Sequence, residues 1–114
     1  MIKIDRIYAK PADLNGVRIL VDRVWPRGVS KASAHLDYWM KDVAPTTELR
    51  KWFAHDPAKY AEFRDRYREE LKTNPALDEL KDVVKANPDR PIILLYGAKD
   101  TAHNHALVLQ EVLE

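Results

Sequence analysis

The sequence predicts an α/β fold, a compact three-layer domain in which a small, mostly parallel sheet is flanked by helices. Three observations carry this reading. Ile92 to Tyr96 is apolar at every position and bounded by turn residues, the pattern of a strand covered on both faces. Ile19-Leu20-Val21 is a second such run. Between them, Tyr60, Phe63, Tyr67 and Leu71 recur at three- and four-residue steps, so helical segments lie where crossovers between parallel strands are needed.

Taken in order, Ile2 to Tyr8 reads as a short strand whose apolar register breaks at Ile7. Pro11 to Gly16 is a turn, since Asn15-Gly16 tolerates positive φ. Val17 to Val24 reads as the second strand, ended by the loop Trp25-Pro26-Arg27-Gly28. Leu36, Tyr38 and Met40 alternate with Asp37, Trp39 and Lys41 and suggest a short third strand. Pro45 and Thr46 open a helix, with Thr46 as cap, Glu48 in the first turn, and Leu49, Trp52 and Phe53 on one face. His55-Asp56-Pro57 ends it and begins the long amphipathic helix to Thr73. Leu77, Leu80 and Val84 mark another helix that stops before Asn87-Pro88. Pro91 to Tyr96 is the buried strand, and after a Gly97 to Thr101 loop the chain ends in a helix with Val108, Leu109, Val112 and Leu113 on one face. Asp100 or Thr101 is the expected cap of that helix.

These elements add up to one domain over residues 1–114. The composition is ordinary for a globular chain, with 46% hydrophobic and 32% charged residues. The absence of cysteine excludes disulfide scaffolds, thiolate nucleophiles and cysteine-based metal sites, and suits a reducing compartment. The opening Met-Ile-Lys-Ile-Asp-Arg lacks the apolar stretch of a signal peptide, and no apolar run approaches the roughly 20 residues that span a bilayer. A cytoplasmic protein with no membrane partner is the expectation.

Net charge is +1, but it is unevenly spread. Residues 1 to 31 hold seven basic side chains against three acidic ones, whereas the rest of the chain has 12 against 15. That balance argues against a broad nucleic-acid surface and leaves room for a local anion site.

In parallel α/β sheets, ligands gather beyond the carboxyl ends of the strands. Two loops occupy such positions. The first, Asp22 to Lys31, carries Arg23, Arg27 and Lys31, whose donors suit phosphate or carboxylate, on a backbone shaped by Pro26 and Gly28. In the alternative reading of that loop, Asp22 and Arg23 form an internal pair, Trp25 is core, and Arg27 and Lys31 are solvated surface charges. The second loop, Tyr96 to Thr101, offers Gly97 for close backbone approach and Lys99 for charge, but it lacks the glycine and Lys-Ser/Thr pattern of a nucleotide-binding P-loop. Among His103-Asn104-His105, the two histidines are two residues apart and do not share a helical face, so no metal site is expected. Asn104 and His105 either line the pocket or supply polarity at the helix start. Asp22 and His105 are the candidates for acid/base chemistry. No nucleophile elbow or dinucleotide fingerprint is present, and no cofactor is specified.

Asp22-Arg23-Val24-Trp25-Pro26-Arg27-Gly28, Trp39, Glu48 to Phe53, Leu94 to Asp100 and Asn104-His105-Ala106 together resemble the short, YeaO-like branch of the bacterial domain-of-unknown-function family 488. The resemblance covers essentially the whole chain and implies a compact α/β architecture without implying a reaction. Longer relatives tend to carry a cysteine after the last strand and a Cys-His-Arg segment in the next helix. This chain has Tyr96 and Asn104-His105-Ala106 there, so a thiol-based role does not transfer. No helix-turn-helix signal accompanies the helices.

The functional expectation is a small anionic, phosphate-bearing ligand held between loops 22–31 and 96–105. Arg23, Arg27 and Lys99 would hold the anion, Trp25 and Tyr96 would form walls, and Asn104 and His105 would orient it. The alternatives are a nucleic-acid-binding or regulatory module using the basic N-terminal portion, and an enzyme working on the same anion through Asp22 or His105.

Overall fold

The computed structural model of the chain describes residues 1–114. Strands β1 (Ile2–Arg6), β2 (Val17–Leu20), β3 (Tyr38–Trp39) and β4 (Ile92–Tyr96) form one sheet. Their order is β1-β4-β2-β3 and every pairing is parallel. The central strand β4 sets Leu94 between Ile4 of β1 and Ile19 of β2.

Strand pleat explains both the continuous apolar run and the break at Ile7, because successive side chains leave opposite faces of a sheet. Ile92, Leu94 and Tyr96 enter the larger core together with Ile2, Val17 and Ile19, while Ile93 and Leu95 enter a smaller core with Leu20 and Ile7. Ile7 has crossed to the other face. Its amide still donates to the Tyr96 carbonyl at 2.8 Å, one residue past the end of β1.

The larger core is roofed by four helices, α2 (Thr47–Phe53), α3 (Tyr60–Lys72), α4 (Pro75–Ala86) and α5 (His105–Leu113). They contribute, among others, Leu49 and Phe53, Phe63 and Tyr67, Leu80, and Val108 and Leu109. Thr46 caps α2 by accepting from the Leu49 amide, and the α3 carboxylate of Glu70 accepts from the Thr46 hydroxyl at 2.6 Å. On the opposite face the cover is thin. It consists of the Asp22 to Leu36 segment, with Trp25, Val29 and Leu36 packed on the smaller core, and the one-turn helix α1 (Lys31–Ala34). Arg18 is 4% exposed and holds this layer through hydrogen bonds from its guanidinium to the carbonyls of Asp13, Ala34 and His35.

Four details correct the sequence reading. The second strand stops at Leu20 rather than Val24, and Val24 is 58% exposed, because the chain turns away from the sheet at Asp22. The third strand shrinks to Tyr38–Trp39. The turn at Lys31–Ala34, which has no apolar periodicity, is helical with Ser30 as its cap. Asn104 caps α5 in place of Asp100 or Thr101, accepting from the Leu107 amide. Asp100 is occupied elsewhere, receiving the Ala102 and His103 amides in a turn of its own.

Helices α3 and α5 are clasped at the surface by Glu111, which receives Arg64 at 2.7 Å and Arg68 at 2.6 Å. Arg64 first, and then Arg68, hold its carboxyl below the ordinary value of 4.5. A lowered folded-state value stabilises the fold above the unfolded pKa, and this contribution is lost as pH falls through the folded value. Glu111→Gln should therefore cost about 0.5 kcal/mol at pH 7, the scale of half-exposed ion pairs. It should also flatten the acid limb of a plot of stability against pH below the ordinary carboxylate value, where the folded-state carboxyl takes up its proton, measured by urea unfolding.

Candidate functional site

Beyond the carboxyl ends of β2 and β4 lies a cavity of about 340 Å³. Strands β2 and β4 are neighbours, so the two loops named from the sequence meet at this edge. The joint is Asp22. Its Oδ2 accepts from the Gly97 amide at 2.8 Å, and its Oδ1 lies 3.2 Å from His105 Nε2. His105 Nε2 also lies 3.0 Å from the Val21 carbonyl. A carbonyl oxygen only accepts, so the proton sits on Nε2. Arg6 braces the second loop from β1, donating through Nε to the Ala98 carbonyl at 2.9 Å.

Arg23 enters from the other side. Its Nε and one terminal nitrogen donate to the carbonyls of Pro45 and Ala44 at 3.2 and 3.0 Å, while the remaining nitrogen stands 3.8 Å from Asp42. The guanidinium is thus oriented by backbone rather than paired with Asp22. Asp22 is engaged by the Gly97 amide and His105, and Arg23 by the carbonyls ahead of α2, so no Asp22–Arg23 ion pair forms.

Two cavity residues had no local signal. Arg50, in the last turn of α2, makes no side-chain hydrogen bond or ion pair and lines the cavity with Phe53. His55 follows Ala54, and these two non-glycine residues take φ of 57° and 49°, the left-handed region that costs a side chain energy and recurs at functional sites. The bend carries His55 to the cavity wall. Phe53 and Phe63 stack with centroids 4.3 Å apart and supply its apolar lining. His103 is held by Asp100, with Nδ1 2.9 Å from Oδ2. The Ala102 amide chiefly, and then the His103 ring and amide, hold the Asp100 carboxyl below its ordinary range.

Of the residues named from the sequence, Asp22, Arg23, Asn104 and His105 line the cavity. Asn104 is 2% exposed, and both ends of its amide are bound, to the Leu107 amide and the Asp100 carbonyl. Trp25 packs against the smaller core, donates to the Val29 carbonyl at 2.7 Å and meets Trp39 edge to face at 5.2 Å. Tyr96 is 2% exposed within the larger core, where burial raises its phenol pKa. Arg27 and Lys99 are exposed on the two loops and lie outside the cavity lining. No three His, Asp or Glu side chains are arranged to hold a metal ion, and no helix is long and apolar enough to cross a membrane.

A family profile described as the inactive DUF488-N3 subclade matches residues 1–114. The chain belongs to this family. The DUF488-N3 chain is similar to the protein YeaO of Escherichia coli, described as uncharacterized, with 44% identity over 113 residues covering 98% of this chain and 96% of that one. It is also similar to uncharacterized proteins of Mycobacterium bovis and Mycobacterium tuberculosis, each 38% identical over 112 residues, covering 98% of this chain and 92% of theirs. No solved structure matches. The family resemblance carried by the Asp22 to Gly28 and Asn104 to Ala106 segments is confirmed, and Asp22 to Val24 of the first and Asn104-His105 of the second meet at one cavity.

Proposed function

We propose that this chain binds a small phosphate-bearing anion in the cavity between loops 22–31 and 96–105. One observation carries the reading. The cavity gathers the guanidiniums of Arg23 and Arg50, while its one carboxylate, Asp22, is already occupied by the Gly97 amide and His105. Two guanidiniums against one carboxylate leave positive charge beside an apolar wall, and a phosphate or carboxylate is its natural complement. Arg27 and Lys99, exposed on the same loops, add attraction at longer range. Trp25 and Tyr96 act as supports, and Asn104 fixes the start of α5. The subclade's description as inactive favours binding over turnover. The Asp22–His105 contact, a carboxylate beside an imidazole, supports acid/base chemistry on the same anion as the second reading.

The test is thermal unfolding with methyl phosphate, ribose 5-phosphate and a short single-stranded DNA. A ligand at a hundred times its Kd adds about 2.7 kcal/mol, roughly 10 °C for a domain of this size. Arg50→Ala should leave the unliganded Tm unchanged and weaken binding about tenfold, the loss of one charge-assisted hydrogen bond. A shift of equal size in Arg50→Ala would place the anion elsewhere. A shift produced by DNA alone and steeply lost with salt would favour the nucleic-acid reading.

A further inference from the structure

We infer that the anion taken by this cavity carries hydroxyl groups beside its phosphate, as a sugar phosphate or related polyol monophosphate does. The inference rests on the anion reading above and names its ligand class. It follows from the donors and acceptors that the cavity leaves unused. Arg23 and Arg50 can only donate. The two histidines of the second loop are turned the other way. The Val21 carbonyl and the Asp22 carboxylate fix the His105 proton on Nε2, so in the neutral ring Nδ1 is an acceptor. The Asp100 carboxylate fixes the His103 proton on Nδ1, so in the neutral ring Nε2 is an acceptor. Neither His105 Nδ1 nor His103 Nε2 has a protein hydrogen-bond partner, and both residues belong to the cavity lining.

The lining thus holds both donors and acceptors. A bare phosphate dianion offers only acceptors and satisfies the arginines alone. A phosphate ester of a polyol supplies acceptors through its phosphate and O–H donors through its hydroxyls, which meets both. Two further features agree. A volume of about 340 Å³ falls in the range of small-molecule sites and exceeds what one ion needs. Phe53 and Phe63, nearly buried in the larger core, supply the apolar part of the cavity lining.

Calorimetric titration of the unmodified protein at fixed ionic strength tests this with ribose 5-phosphate, methyl phosphate and ribose. Two hydroxyl-to-imidazole hydrogen bonds should make ribose 5-phosphate about tenfold tighter than methyl phosphate. His103→Leu should reduce that advantage without weakening methyl phosphate. His103 is the better position to change, since His105 also ties the loop to Val21. Equal affinity for the two phosphates would overturn the hydroxyl inference and leave the anion reading standing. Binding of neither phosphate, or binding of ribose as tight as its phosphate, would overturn both.

Discussion

Leu94→Ala should destabilise the protein by about 3 to 5 kcal/mol, the range for a fully buried leucine whose cavity cannot collapse. Leu94 has no exposed surface, sits on the central strand, and faces the larger core between Ile4 and Ile19. Its neighbours are held by ladders on both sides, so the backbone cannot move inward to fill the void. With roughly 3 to 5 °C per kcal/mol for a domain of this size, Tm should fall by about 10 to 20 °C. Urea unfolding with an unchanged m-value would confirm that the loss is one of packing. A loss below about 1 kcal/mol would show that the four helices roofing this face do not depend on the strand they cover.

Asp22→Ala should cost about 2 to 3 kcal/mol, the second largest effect. The carboxylate joins the loop after β2 to both the Gly97 amide and the His105 ring beyond β4. Removing it leaves the Gly97 amide without its acceptor, and His105 retains only the Val21 carbonyl. An unsatisfied amide in a partly buried joint carries most of the penalty. Asp22→Asn should recover only part of the loss, because an amide has one oxygen and would turn its NH₂ toward either the Gly97 N–H or the His105 N–H. Chemical denaturation of both variants checks this, with Arg27→Ala as a control expected to lie within about 0.5 kcal/mol of the parent because its side chain is exposed. If Asp22→Ala behaved like Arg27→Ala, the joint between the loops would not hold the site together.

The fold was legible where one physical rule dominates. Unbroken apolar runs announced β2 and β4 as covered on both faces, and the aromatic steps of Tyr60, Phe63 and Tyr67 announced the helix over the larger core. That the loops after β2 and β4 share one edge was legible from strand direction, since parallel neighbours deliver their following loops to one edge. What the sequence hid was pairing. Asp22 is beside Arg23 in the chain, yet it reaches Gly97 and His105 across the sheet edge, whereas Arg23 reaches back to the carbonyls that precede α2. Arg50 and His55 arrive through the long crossover between β3 and β4, and no spacing rule links residues so far apart in the chain to Asp22. The signal that could have found His55 is modest: a histidine directly after a helix end, where left-handed backbone aims a side chain away from the helix axis. Asn104 was named for its position and proves to be the cap, because Asp100 spends its carboxylate on the turn ahead of it.

The most direct test of the central claim is an amide chemical-shift titration of the labelled protein with ribose 5-phosphate. Binding in the cavity should move the amides of Arg23, Gly97, Ala98 and His103 to His105 together with those of Arg50 and His55, all with one Kd, and leave the exposed face of α3 unmoved. Perturbations confined to the flanks of Arg27 and Lys99, or scattered over the basic surface and erased by moderate salt, would contradict it.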